Sequence, residues 1–225
     1  MKRGGNRRIG SRSFSIYDIL QSMNTFKELF RKYPVVTYVL IGINFLIYVL
    51  ETIAGGSQET EVAVAFGAFY TPFVVIYHEY YRLVTAMFLH FGIDHLGSNM
   101  VSLFVLGPYV EKYFGRVRFL FIYFIAGLCG NVLTLFMDFL PGAEPVLSAG
   151  ASGAICGLLG VFIVFAMTPG IRRYFPMKRV LFGIIFSLAP GLGNAEISLR
   201  AHVGGLIGGF LTALFFQKMM ELKRR

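Results

Sequence analysis

Charge is what this chain has least of. Only 15% of its 225 residues are Asp, Glu, Lys or Arg, where a soluble domain carries about 25%. Hydrophobic residues make up 56% of the chain and its mean hydropathy is +0.65, which excludes an ordinary soluble domain. Cysteine is nearly absent. Cys129 and Cys156 both fall in apolar stretches, so they make no disulfide framework and read as small core residues. There is no CxxC, no Walker loop, no HExxH and no cluster of metal-ligand type. Neither a metal nor a cofactor is expected. The glycine-rich segments lie inside apolar runs and lack the strand-to-helix context of a dinucleotide site.

What is present is a series of apolar runs near the roughly 20 residues needed to span a bilayer. They cover 34–50, 95–110, 118–136, 146–167, 180–192 and 197–216. The fifth is short, and its end blurs into a Pro190-Gly191-Leu192-Gly193 turn. The predicted fold is therefore an all-α membrane protein with six transmembrane helices. Six spans put both termini on one side. Basic residues choose that side, because 19 of the 21 Lys and Arg lie in the N-terminal tail, the loops after the second and fourth spans, and the C-terminal tail. Only Arg82 and Arg200 fall opposite. The positive-inside rule then predicts a multi-pass cell-membrane protein with both termini cytoplasmic. Contact with anionic membrane lipid accounts for the net charge of +9, and no nucleic-acid partner is implied.

Three domains follow: a basic cytoplasmic tail over 1–33, a six-span core over 34–217 and a short basic tail over 218–225. The first segment lacks the apolar core and cleavage site of a signal peptide. Ile16, Leu20, Met23, Phe26 and Phe30 fall near helical spacing, with Ser15 and Asp18 placed as a capping box. That predicts a helix lying on the inner membrane surface. A soluble partner-binding helix is the alternative.

Chemistry in such a chain has to come from the few polar residues within its spans. His95 and Asn99 are four apart on the second span, hence on one helix face. Ser152 lies among glycines on the fourth, and His202 on the sixth. An intramembrane histidine is expensive to keep there and points to function. Depth ties the group together. Ser152 lies 17 residues before Pro169, His202 lies 16 before Lys218, and His95 lies 17 before Lys112. At 1.5 Å per residue, each sits about 24–26 Å above the inner boundary of a core roughly 30 Å thick.

Glycines after Ser152 (Gly153, Gly157, Gly160) and after His202 (Gly204, Gly205, Gly208, Gly209) permit close helix approach. Taken alone, they would signify helix packing and nothing more. With four polar groups at matching depth, they suggest acyl transfer. Ser152 is the nucleophile and His202 the general base. The oxyanion hole is made by the His95 and Asn99 side chains and the Ser152 backbone N–H, free if a helix starts there. No carboxylate is expected at that depth, since Asp94 lies one residue above His95 and Glu111 at the inner end of its span, so a Ser-His dyad is expected rather than a triad.

These residues make the chain resemble the rhomboid family of intramembrane serine proteases over about 34–217. Glu79-Tyr80-Tyr81-Arg82 resembles the first-loop motif, with Tyr81 replacing its Trp. His90, His95 and Asn99 resemble the second-helix motif. Gly150-Ala151-Ser152-Gly153 matches the nucleophile motif, and Ala201-His202 with Gly205 and Gly209 the base-bearing helix. The resemblance implies a six-helix rhomboid-like bundle. It implies cleavage of single-pass membrane proteins near the outer face, by Ser152 and His202 with His95, Asn99 and the Ser152 N–H as oxyanion hole.

Many members carry an aromatic residue four after the serine, against the histidine ring. Here Cys156 stands there, which puts the bracing of His202 in doubt. A Cys156 nucleophile is disfavoured, since thiolate needs an electropositive setting. His90 is read as a structural or interfacial residue and His78 as a surface loop residue. Arg82 is expected to hydrogen-bond loop carbonyls, and Glu111 to cap or pair rather than catalyse. The long loop 54–94 is expected to lie partly in the outer leaflet. Two other readings stand beside the protease: an inactive relative that binds membrane proteins, and a transporter, which would need inverted repeats and a central polar site.

Overall fold

The computed structural model describes residues 33–192 and 198–223. The expected surface helix over 15–32 lies outside the described residues. The described helices are α1 (Val35–Ile53), α2 (Thr60–Ala65), α3 (Thr71–Val75), α4 (Arg82–Thr85), α5 (Ile93–Phe114), α6 (Arg116–Met137), α7 (Ser152–Met167), α8 (Met177–Leu188) and α9 (Leu199–Leu222), with 3₁₀ turns at Ala86–Phe88 and Ala189–Leu192. No named strand occurs among the described residues. Phe69 and Ser148 form one isolated antiparallel bridge.

Three described helices, α1, α6 and α9, are long and apolar enough to cross a membrane. The expected six spans are thus not matched by six such helices. α5 has 22 residues but carries Asp94, His95, Ser98 and Asn99 in its first two turns. α7 has 16 residues and α8 has 12. The fourth span needs correction, because helix starts at Ser152 and residues 146–151 are non-helical. The loop 54–94 is also more ordered than its composition suggests. It folds into three short helices and a 3₁₀ turn.

α1 shows how the sheath is built. Thr37, Leu40, Asn44 and Glu51 recur on one face and are buried, while Tyr38, Phe45, Leu46 and Val49 are exposed. An apolar exposed face on a helix of spanning length suits lipid. The first N–H groups of α1 lack intrahelical acceptors. Glu111 of α5 supplies them: its Oε1 accepts from Val36 N at 2.9 Å, and its Oε2 from Thr37 N at 2.7 Å and Thr37 Oγ1 at 2.8 Å. Gly107, one turn earlier on α5, lies against Thr37 with no room for a β-carbon.

α7 is the central helix and is buried over most of its length. α6 and α9 pack against it and against each other. Gly115, at φ +84°, is the single-residue joint between α5 and α6, a conformation glycine adopts without strain. Near the ends of α5 and α7, Tyr109, Phe162 and Phe175 pack edge to face on one another.

Candidate active site

Ser152 is the first residue of α7, and the chain before it is pinned. Phe69 and Ser148 exchange backbone hydrogen bonds of 2.9 Å in both directions, and Gly150 N donates to Ala86 O at 2.8 Å. Gly150 sits at φ +130°, where a side chain would be strained. The first intrahelical bond runs from Ile155 N to Ala151 O. The Ser152 N–H has no backbone acceptor among the described residues, and the helix dipole adds partial positive charge beside it.

His202 lies four residues into α9. Ser198 caps this helix, its Oγ accepting from Ala201 N at 3.2 Å. Arg200 pairs with buried Asp138 at the end of α6, and Thr71 donates to the same carboxylate. Below the cap, α9 lies in backbone contact with two helices. Ala201 O faces Gly130 on one side and Gly153 on the other. A β-carbon on Gly205 would overlap the Gly153 carbonyl, and one on Gly209 the Gly157 carbonyl. His202 is buried at this crossing, next to Ala201 and one turn above Gly205.

His95 approaches from α5. The point where a β-carbon would stand on Gly150 lies 2.8 Å from both His95 Nε2 and Cε1, and 3.6 Å from Ser152 Oγ. Ala201, beside His202, has its carbonyl 3.3 Å from the position of a β-carbon on Gly153, the residue after Ser152. Asn99 Nδ2 donates to His95 O at 2.9 Å, which leaves one amide N–H. Ser152, His202, His95 and Asn99 are therefore brought into one region. No hydrogen bond joins Ser152 to His202 among the described residues, and buried His202 Nδ1 has no partner. Cys156 turns away toward α8, its Sγ 3.5 Å from Ser187 Oγ.

The arrangement holds a hydroxyl at a helix N-terminus, an imidazole on the adjoining helix and N–H donors around the same opening. A family model, described as the rhomboid domain, matches residues 77–219. The chain belongs to the rhomboid family. It is 38% identical to "Rhomboid protease GluP" of Bacillus subtilis over 183 residues, which is 80% of this chain and 34% of that one. It is 30% identical to "Putative rhomboid protease YdcA" of the same organism, over 89% of this chain and 96% of that one. It is 34% identical to "RHOMBOID-like protein 1" of Arabidopsis thaliana, over 67% of this chain and 38% of that one. The chain thus spans only about a third of two of these relatives and nearly all of the third.

Within this rhomboid fold, the first loop is held as its arginine suggests. Arg82 is 4% exposed, donates to Val64 O at 2.9 Å and Ala68 O at 3.0 Å, pairs with Glu79 and lies over the Phe73 ring. His78 is an exposed loop residue. Sequence reasoning left His90 open between a structural and an interfacial role and missed Glu51 altogether. His90 is fully buried, with its ring edge to face on His95 at 5.1 Å, which fits the structural role. Glu51, near the C-terminal end of α1, is 1% exposed and accepts from His90 N at 3.3 Å. A carboxylate therefore does lie beside the polar group, although it meets His90 and not His202. Burial, and then the neighbouring His95 charge, push the His90 imidazole down to about 3, so it is neutral at physiological pH. The signal for His90 was its spacing of five before His95. Nothing local marked Glu51.

Proposed function

We propose that this rhomboid is an intramembrane serine endopeptidase that cleaves single-pass membrane proteins near the outer face of the cell membrane. One observation carries the reading. Ser152 Oγ and the His95 ring border the same small space above Gly150, beside the helix crossing that bears His202. In this reading Ser152 Oγ attacks the scissile carbonyl and His202 takes its proton. His202 then returns a proton to the leaving amine, and water releases the acyl group by the reverse sequence. His95, the second Asn99 N–H and the Ser152 backbone N–H stabilise the oxyanion. The membrane arrangement proposed with it is a six-helix bundle with both termini cytoplasmic, in which α5, α7 and α8 complete the set begun by α1, α6 and α9. The alternative is a catalytically inactive rhomboid that binds membrane proteins.

The test is proteolysis of a tagged single-span substrate in liposomes, with a fluorophosphonate probe alongside. The parent should cleave and label, while Ser152→Ala and His202→Ala do neither. A folded parent that does neither favours the inactive alternative. Labelling that persists in Ser152→Ala removes Ser152 as nucleophile.

A further inference from the structure

α6 and α9 touch through small residues along part of their length. Gly204 and Gly208 of α9 lie against Cys129, Gly130 and Ala126 of α6, with no room for a β-carbon on either glycine. Toward the inner ends the facing residues become large: Val117, Phe121 and Ile125 on α6, Leu211 and Phe215 on α9. Between these side chains lies an open groove of about 610 Å³. That size lies within the roughly 300–1,000 Å³ of ordinary ligand pockets. Thr212, on its wall, donates to Gly208 O at 2.7 Å, so its hydroxyl is already engaged.

One charged group lines the groove, at its end. Arg118 donates one N–H to Phe114 O at 3.2 Å and lies 6.0 Å from the Phe216 ring centre. No carboxylate among the described residues forms an ion pair with it, whereas nearby Arg116 reaches Glu111 at 4.0 Å. A guanidinium has five donors in a planar fork, suited to a phosphate. Arg118 also stands in the first turn of α6, where the helix dipole favours an anion. The groove is thus apolar along its length and cationic at one end.

We propose that the α6–α9 groove binds an anionic phospholipid, with one acyl chain between the helices and the phosphate on Arg118. A second copy of the chain fits poorly. A two-fold axis along the membrane normal would bring like faces together at one depth and set Arg118 against Arg118. The inference is independent of the chemistry at Ser152.

The chain contains no tryptophan, so Phe121→Trp places a lone fluorophore in the groove. Phe182→Trp places one on α8, at a residue 72% exposed, as a control. The full chain is reconstituted in phosphatidylcholine vesicles, and brominated-chain phosphatidylglycerol or brominated-chain phosphatidylcholine is titrated in. One arginine near an anionic surface should give about a fivefold preference for phosphatidylglycerol at the groove. The preference should vanish with Arg118→Gln and be weak at the control. Equal quenching by the two lipids, the same preference at the control, or a preference that survives Arg118→Gln would overturn the proposal. So would groove quenching that falls as protein density rises, which would mean that a second copy fills the site. If Phe121→Trp does not fold, Phe215→Trp reports from the facing helix.

Discussion

Gly205→Ala isolates the helix crossing from the chemistry. The new β-carbon would stand 2.7 Å from the Gly153 carbonyl carbon and 3.2 Å from its Cα, and would overlap the carbonyl oxygen. Ordinary contact begins near 3.4 Å, and all three opposing atoms are backbone, so no side chain can swing aside. α7 and α9 must open by roughly 1 Å, and overpacking of this kind costs about 1–3 kcal/mol. The same displacement separates Ser152 from His202, and a misplacement of about 1 Å can cost ~100-fold in rate. Gly42→Ala, on the exposed face of α1 with nothing within 4 Å, is the matched control. Substrate turnover in liposomes and the thermal unfolding midpoint in detergent measure the two effects. Gly205→Ala should lower both, and Gly42→Ala neither. A Gly205→Ala protein with parental turnover would show that catalysis does not depend on this backbone contact.

Two further substitutions test the supports of the site. Glu111→Ala removes the acceptor for three donors at the start of α1 and should destabilise by about 2–4 kcal/mol, read as a lower unfolding midpoint; Glu111→Gln should recover part of this through its remaining carbonyl oxygen. His90→Phe keeps a ring against His95 and removes a titrating group. The native His90 value of about 3 lies below the unfolded value of 6.5. The unfolded chain therefore binds more protons between them, and the stabilisation is complete above 6.5 and lost as pH falls toward 3. The parent should lose stability across that window more steeply than His90→Phe. Only the slope is read, so a uniform effect of the larger ring does not enter, and equal slopes would mean that His90 is charged in the fold.

The local pattern accounts for much of what the structure contains. α6 lies within two residues of the expected third span at each end, and α9 starts two residues after the expected sixth span and runs six beyond it, because apolar composition over twenty residues is itself the physical requirement of a bilayer. A helix starting at Ser152 was legible only as a condition for a free N–H there, and the expected fourth span began six residues before that start. α5 and α8 were less so. Polar residues at the start of one helix and the shortness of the other leave them outside a test of length and hydropathy.

The sequence by itself determined that this is a membrane protein of the rhomboid family, and it singled out Ser152, His202, His95 and Asn99 as residues worth an explanation. A polar group in an apolar run is a local anomaly that needs no neighbour to be noticed. Only the tertiary structure decided that His90 is buried against His95, that Glu51 meets it from another helix, that Glu111 caps α1, and that Phe69 fastens the non-helical segment before Ser152. Apart from the His90–His95 contact, each of these joins residues tens of positions apart. Such contacts depend on how helices cross, and those crossings are set by where a missing β-carbon lets two backbones touch.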